Sequence, residues 1–193
     1  MKIIDNFFNQ EDQDFLENLL FIEEQFPWYL AHTSNYTPHS YIQKIKQNVS
    51  LPFEKEYHQF VHTFYEDEKQ NSSHWSYLEK IFKSNKHVPI NNFFRVKANL
   101  NVQIIGATKD THGALHQDHL ESLFQSILYY VNDSDGDTLL FDNKKNVVEK
   151  VSPKKGRAII FDSNIFHAAS PPLNHKLRVV VNCILYKNND IIK

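Results

Sequence analysis

Residues 93–105 read Phe93-Phe94-Arg95-Val96-Lys97-Ala98-Asn99-Leu100-Asn101-Val102-Gln103-Ile104-Ile105, and this stretch decides the fold. Apolar side chains occupy every second position from Phe94 to Ile104, and polar side chains occupy the positions between them. Successive side chains of a β-strand point to opposite faces of a sheet. The alternation therefore predicts a long strand with one apolar and one polar face.

Short strand-like runs continue through the second half of the chain. They cover residues 124–131, 138–141, 146–151, 157–161 and 177–186. Turn-forming residues separate them at 133–136, 142–145, 152–156 and 170–172. Because no helical pattern lies between these strands, they predict an antiparallel double sheet of the β-sandwich or jelly-roll type.

The first half of the chain has a helical period. Residues 3–8 predict a short strand, after which Asn9 is the N-cap of a helix that continues to Phe26 and ends at Pro27. Two further helices are predicted from apolar spacing, one around Phe53, Tyr57, Phe60, Val61 and Phe64 and one around Trp75, Leu78 and Phe82. We therefore expect a mainly β, α+β chain. In this single domain, residues 1–92 form a mostly helical support and residues 93–186 form the β core.

Composition limits the functional classes that the chain can serve. With 193 residues and 41% hydrophobic side chains, it is long enough and apolar enough for one globular domain. A net charge of −2 does not favour nucleic acid or an anionic membrane as a partner. Cys183 is the single cysteine, which excludes an intramolecular disulfide and a cysteine-rich zinc site. No signal-peptide pattern or membrane-length apolar run is present, so a cytoplasmic location is expected.

One short motif can hold a metal ion. In residues 115–119, which read Leu-His-Gln-Asp-His, the side chains of His116 and Asp118 point to the same side of an extended chain. His167 follows the predicted strand at 157–161 and is the best third ligand. Two imidazoles and one carboxylate form the facial triad of non-haem Fe(II) oxygenases. A structural zinc site would need a fourth ligand, and no obvious fourth partner is evident.

A surface loop is the competing interpretation of this His-x-Asp triplet. Histidine makes up 11 of the 193 residues, so such a triplet can arise by chance. Order and context favour the metal site, because the triplet lies between two predicted strands and His167 follows a later one. Three other histidines are interpreted as loop residues: His112, His119 and His175.

Arg178 lies on the last predicted strand, which follows His167. An arginine on an inward strand face is costly to bury unless it meets an anion. Its guanidinium group can hold a carboxylate with two hydrogen bonds. An exposed charge at a strand edge is the alternative, but the apolar neighbours Leu177 and 179–181 favour a buried position.

Several motifs resemble one known family. Residues 127–132 (Ile-Leu-Tyr-Tyr-Val-Asn), 135–141 (Asp-Gly-Asp-Thr-Leu-Leu-Phe) and 151–161 follow the His-x-Asp triplet in order. They resemble, in turn, the strand, the hairpin and the Pro/Gly-containing strand of the 2-oxoglutarate/Fe(II) oxygenases. The resemblance covers about residues 93 to 186 and implies a double-stranded β-helix. It is close to the prolyl-4-hydroxylase branch and to similar proteins carried by bacteriophages.

This resemblance implies roles for particular residues. His116, Asp118 and His167 would bind Fe(II) and form the catalytic centre. Arg178 would pair with the distal carboxylate of 2-oxoglutarate, and the hydroxyl of Tyr130 would donate a hydrogen bond to that same carboxylate. The implied cofactors are Fe(II), 2-oxoglutarate as co-substrate and O₂, with ascorbate as a candidate addition.

The chain departs from the family pattern at two places. Many relatives carry a tyrosine in a Y-x-x-G pattern before the triplet, where this chain reads Gln-Ile-Ile-Gly at 103–106. Asn99 and its polar neighbours on the same strand face could bind the co-substrate through amide hydrogen bonds instead, or they could form a solvated face. Two positions after Arg178 stands Val180, which offers no hydroxyl group to assist the arginine.

The implied activity is hydroxylation of a C–H bond with release of succinate and CO₂. A peptidyl prolyl or amino-acid-like substrate is expected, and a peptide or small molecule is favoured over nucleic acid. The location would be the host cytoplasm for a phage-encoded protein, and the oligomeric state is left open. The alternative is a catalytically inactive, cupin-like metal-binding or interaction module. Arg178 discriminates between the two, because a simple metal-binding sandwich needs no carboxylate anchor.

Overall fold

The computed structural model describes residues 1–31, 58–88 and 93–187. Its strands are β1 (Lys2–Ile4), β2 (Tyr29–Ala31), β3 (Gln59–Glu66), β4 (Lys69–Gln70), β5 (Phe93–Val102), β6 (Phe124–Tyr130), β7 (Thr138–Phe141), β8 (Val147–Val151), β9 (Ala158–Asp162), β10 (His167–Ala169) and β11 (Leu177–Tyr186). Within these ranges, the larger sheet has eight strands in the order β1-β9-β6-β11-β5-β3-β2, with β4 paired to β3. The smaller sheet has the order β10-β7-β8. The predicted mainly β architecture with a double-stranded β-helix is confirmed.

Strand β11 lies at the centre of the larger sheet, with β5 on one side and β6 on the other, and pairs antiparallel with both. Arg178 is opposite Asn101, and Val180 is opposite both Asn99 and Tyr130. Directly paired residues share one face of a sheet. The register therefore gathers residues that are distant in sequence onto a single sheet face.

Two apolar layers hold the sheets in place. Between the sheets, Leu128 and Ile159 of the larger one share a buried cluster with Leu140 of the smaller one. On the other face of the larger sheet, a second cluster contains residues of helices α1 (Gln10–Glu17) and α2 (Trp75–Ser84) together with strand residues. The helices thus support the sheet from the side opposite to the small sheet. Among the helices of the described ranges, none is long and apolar enough to cross a membrane.

The N-terminal capping prediction is confirmed, but the helix is shorter than predicted. The side chain of Asn9 accepts a hydrogen bond of 2.9 Å from the backbone N–H of Asp12. A five-residue π-helical segment (Asn18–Ile22) follows α1, and Glu23 then takes an extended conformation. The prediction that the helix continues to Phe26 is therefore wrong. Strand β1 also ends before the predicted boundary, because Asn6 adopts a positive φ of 52°.

The helix predicted around Phe60, Val61 and Phe64 is wrong, because these residues belong to strand β3. Phe53 and Tyr57, on which the same prediction rests, lie outside the described residues. The segment 59–66 is rich in aromatic and β-branched side chains, which favour a strand. Pairing with β5 along its length then decides the conformation. The third predicted helix, around Trp75, Leu78 and Phe82, is confirmed as α2.

Candidate metal centre and anion pocket

The three residues predicted to bind a metal come together in the structure. His116 and His167 form an isolated antiparallel bridge, with backbone N–H···O distances of 3.0 and 2.9 Å. This bridge brings their rings to a centroid separation of 4.3 Å. One ligand atom from each of His116, Asp118 and His167 lies within 4.8 Å of the others. His167 follows the strand predicted at 157–161, and it is itself the first residue of the short strand β10.

Both histidines are held through Nδ1, which leaves Nε2 as the atom that can bind a metal. The Nδ1 atom of His116 lies 3.1 Å from the carbonyl oxygen of Ala114, and that of His167 lies 3.0 Å from the carbonyl oxygen of Ile165. A carbonyl oxygen can only accept, so each Nδ1 carries a proton and donates it. Burial, together with the nearby His167, lowers the pKa of His116 to about 3, so its imidazole is neutral at neutral pH.

Asp118 is held by a set of hydrogen-bond donors. Ser126 Oγ donates to Oδ2 at 2.6 Å, and Asn182 Nδ2 donates to both carboxylate oxygens at 3.1 and 3.0 Å. Arg95 Nη2 lies 3.6 Å from Oδ1. Burial alone would raise the pKa of Asp118, but His167 and Arg95 outweigh it and hold that pKa well below its usual range. The group is therefore an ionised carboxylate, which is the form that binds a cation.

The donor set fits a redox-active divalent metal. Two imidazoles and one ionised carboxylate on one side leave further coordination positions open for small molecules. Within the described residues, no other group of three histidine, cysteine, aspartate or glutamate side chains has this geometry. His119 packs its ring 3.6 Å from that of Phe124 instead, and His175 pairs with Asp135.

Asn182 was not singled out from the sequence, and it provides a first test of this centre. We expect Asn182→Leu to weaken Co(II) or Mn(II) binding about 10-fold, because partners that orient metal ligands typically contribute this much. Isothermal titration calorimetry of the metal-free protein measures the effect. The neighbouring Cys183→Ala change alters the opposite, apolar face of β11 and serves as the control. If both variants bind metal equally well, Asn182 does not position Asp118.

Arg178 is buried at the other end of the same pocket, with an exposed fraction of 2%. Its Nε donates to the carbonyl of Gly136 at 2.7 Å, its Nη2 to Oγ1 of Thr138 at 2.7 Å, and its Nη1 to Oδ1 of Asn101 at 3.2 Å. All three acceptors are neutral, and no carboxylate of the described ranges lies within 4.0 Å of the guanidinium. A buried cation without a counter-ion is therefore suited to bind an anion.

Thr138 connects Arg178 to Tyr130. The Tyr130 hydroxyl donates to Thr138 Oγ1 at 2.7 Å, and Arg178 Nη2 donates to the same oxygen. With its oxygen accepting twice, the Thr138 hydroxyl hydrogen remains for an acceptor in the pocket. Sequence reasoning placed Thr138 in a family-like hairpin but gave it no role. Its partner Arg178 lies 40 residues further along the chain, so no local pattern could reveal the contact.

Asn99 adds a further polar group to the pocket. Its Oδ1 is buried and has no hydrogen-bond partner. The residue is half-buried and its side chain lines the pocket. An unpaired buried amide oxygen is costly unless a ligand or water meets it.

The pocket joins the metal centre to the arginine. It has an empty volume of about 700 Å³, including the space at its mouth. His116 and His167 line one part of its wall, and Thr138, Asn99 and Arg178 line another. A ligand that reaches from the metal to Arg178 would therefore need a metal-binding head and an anionic tail.

Residues 101–186 match the family model described as the 2OG-Fe(II) oxygenase superfamily. This match identifies residues 101–186 as a 2OG-Fe(II) oxygenase domain. Members of this family use Fe(II), 2-oxoglutarate and O₂, and the matched segment of this oxygenase contains the metal-ligand cluster and Arg178. The predicted resemblance to the superfamily is confirmed.

Solved structures with the same fold include several oxygenases. A prolyl hydroxylase from Trichoplax adhaerens, in complex with a hypoxia inducible factor peptide fragment, has a TM-score of 0.53 at 16% identity, over 96% of this chain and 83% of that one. A Pseudomonas putida prolyl-4-hydroxylase has a TM-score of 0.51 at 10% identity, over 97% and 92%. HygX from Streptomyces hygroscopicus, with nickel and 2-oxoglutarate bound, has a TM-score of 0.55 at 9% identity, over 95% and 81%. No curated protein matches the chain by sequence.

Proposed function

We propose that this oxygenase hydroxylates a C–H bond of its substrate, consuming 2-oxoglutarate and O₂ and releasing succinate and CO₂. One observation carries the proposal: both histidines of a two-histidine, one-aspartate cluster and a buried arginine without a counter-ion line the same pocket. His116, Asp118 and His167 would hold the iron. When bound, Fe(II) orients the reactants and supplies electrons for O₂ activation.

The residues of the chain prepare the site for these molecules. The two Nδ1–H···O=C hydrogen bonds fix the ring orientations of His116 and His167, so that their Nε2 atoms need no rearrangement to bind metal. Arg178 and the Thr138 hydroxyl would bind the distal carboxylate of 2-oxoglutarate. Tyr130 would act through Thr138, because its hydroxyl already donates to that side chain. Asn99 would bind the co-substrate by donating from its Nδ2 group, whereas its unpaired Oδ1 can only accept a hydrogen bond, from water or a substrate donor.

The substrate is proposed to be a peptidyl proline or a compound that resembles an amino acid. The prolyl hydroxylase from Trichoplax adhaerens shares the fold and was solved with a bound peptide fragment, which supports a peptide as one option. The pocket opens at the surface, so a side chain or a small molecule could approach it from solvent. The described elements of the first half pack into the same core as the β-strands, which supports a single domain.

Anaerobic spectroscopy tests the proposal. Adding Fe(II) and 2-oxoglutarate together is expected to give a visible charge-transfer band that neither component gives alone, because the keto acid must chelate the protein-bound iron. Admitting O₂ should then produce succinate. A protein that binds Fe(II) but gives no band and no succinate would instead be a metal-binding module without catalysis.

A further inference from the structure

Lys97 is a second buried cation on the sheet face next to the metal-ligand cluster, and the proposed chemistry does not use it. It lies on the polar face of β5, where it is paired with Asn182 of β11 and Thr63 of β3. Asn182 donates to both oxygens of Asp118, so Lys97 lies alongside the metal-ligand cluster on the same sheet face. Its charge also acts electrostatically on Asp118 and His116.

No counter-ion accompanies Lys97. Its exposed fraction is only 8%, and it forms no hydrogen bond or ion pair with any residue in 1–31, 58–88 or 93–187. Glu66 attracts it from a distance without forming an ion pair. Burial and the neighbouring Arg95 lower the pKa of Lys97 to about 7, as expected for an enclosed cation next to another cation.

Arg95 does not compensate the positive charge of Lys97. It also has an exposed fraction of 8%, and its Nε has no hydrogen-bond partner. Its 3.6 Å contact with Asp118 involves a carboxylate that is already shared with Ser126, Asn182 and the proposed metal. When Lys97 is protonated, two cations therefore lie near one carboxylate that already has other partners.

Positive charge would also remain in excess with the metal and 2-oxoglutarate bound. Fe(II) and Arg178 together carry three positive charges, and 2-oxoglutarate and Asp118 together carry three negative charges. Arg95 and Lys97 then remain unbalanced in a buried site. Unbalanced buried charge is costly, so these residues are expected to meet another anion.

Position separates Lys97 from the co-substrate anchor. Arg178 is paired with Asn101 of β5, and Lys97 lies four residues before Asn101 on the same strand. At the usual rise of a strand this is roughly 14 Å. The distal carboxylate of a co-substrate held by Arg178 is therefore not the group that Lys97 would bind.

We propose that Lys97, assisted by Arg95, binds an anionic oxygen group of the substrate, a carboxylate or a phosphate, close to the carbon that is oxidised. This inference rests on the proposed function, and it narrows the substrate to one that carries negative charge beside the reacting C–H bond. A free amino acid, an acidic side chain or a phosphorylated compound would supply this group. A neutral peptidyl proline would not.

Paramagnetic NMR relaxation can detect such a group without knowledge of the substrate. The protein is loaded with Mn(II) and saturating 2-oxoglutarate, which fills the Arg178 site, and acetate, inorganic phosphate or neutral acetamide is added. Relaxation of the probe nuclei by protein-bound Mn(II) reports binding near the metal. The Zn(II)-loaded protein gives the diamagnetic baseline. We expect bound Mn(II) to relax acetate or phosphate but not acetamide. The anion whose relaxation is enhanced more identifies the group as a carboxylate or a phosphate.

The variants Lys97→Met, Lys97→Arg and Lys80→Met decide the assignment. Lys97→Met should weaken anion binding about tenfold, the value of one charged hydrogen bond, whereas Lys97→Arg and the exposed control Lys80→Met should retain it. Affinity for Mn(II) and 2-oxoglutarate should not fall in any of the three. Equal anion relaxation in Lys97→Met would mean that the anions bind the metal directly, and would overturn the proposal.

Loss of 2-oxoglutarate or Mn(II) affinity in Lys97→Met would also overturn it, because Lys97 would then be a co-substrate anchor or a counter-ion of Asp118. Absence of anion relaxation in the wild type has the same consequence. If the wild type fails to bind Mn(II) and 2-oxoglutarate at all, the proposed function itself fails, and this inference falls with it. The metal and co-substrate titrations separate these two failures.

Discussion

Replacing His167 with alanine is expected to reduce 2-oxoglutarate turnover by roughly 1000-fold, since a metal centre contributes several kcal/mol to such reactions. The change removes one of the two Nε2 atoms that can bind the metal, while His116 and Asp118 remain. Two ligands hold a divalent ion far more weakly than three. Metal binding measured by calorimetry should fall together with succinate formation.

His119→Ala is the matched control for this experiment. His119 is adjacent to Asp118 in sequence, but its ring packs on Phe124 and its Nδ1 accepts a hydrogen bond from the backbone of Glu121. We expect this variant to bind metal as the wild type does. Full metal binding and turnover in His167→Ala would show that the metal is held elsewhere.

The metal-ligand cluster could be predicted because its sequence signals are local and occur in a recognisable order along the chain. A spacing of two residues in an extended segment places His116 and Asp118 on one side, whatever the rest of the chain does. His167 was the best third ligand because it follows a strand. The residue lies on β10, which has only three residues. A strand of that length gives no recognisable period, so its pairing with β7 could not be read from the sequence.

The first half of the chain was harder to predict because its apolar spacing suits two structures. Phe60, Val61 and Phe64 fit a helical stripe, yet they lie on strand β3. Long-range pairing with β5 selects the strand, and single-sequence spacing contains no information about that partner. By contrast, α2 was predicted correctly because its buried residues repeat over a ten-residue helix with no competing alternation.

The partners around the ligands also escaped sequence reasoning. Ser126 and Asn182 donate hydrogen bonds to Asp118 from two different strands. Thr138, on a third strand, accepts a hydrogen bond from Arg178. Each contact depends on the register of β6, β7 or β11, so it becomes visible only once the sheets are assembled. Lys97 was noted on a polar strand face, but its burial and its lack of a counter-ion follow from the tertiary structure.

Replacing Arg178 with leucine is expected to weaken 2-oxoglutarate binding about 100-fold, because removal of one partner from a buried charge pair usually costs several kcal/mol. Metal binding should persist, since none of the three metal-ligand residues bonds to Arg178 in the described structure. Calorimetric titration of Mn(II) and then of 2-oxoglutarate separates the two effects. The guanidinium has only neutral partners, so its removal also relieves the burial of an uncompensated charge in the co-substrate-free protein.

Arg157→Leu provides the matched control, because Arg157 forms its hydrogen bonds with Asp5 and Ser152 at the surface and not in the pocket. Arg178→Lys keeps the charge but loses the forked donor geometry, so it should bind 2-oxoglutarate with intermediate affinity. Affinity that follows this order, with unchanged Mn(II) binding throughout, assigns the distal carboxylate to Arg178. Wild-type affinity in Arg178→Leu would place the co-substrate elsewhere, and would leave the buried guanidinium as a structural donor to Gly136, Thr138 and Asn101.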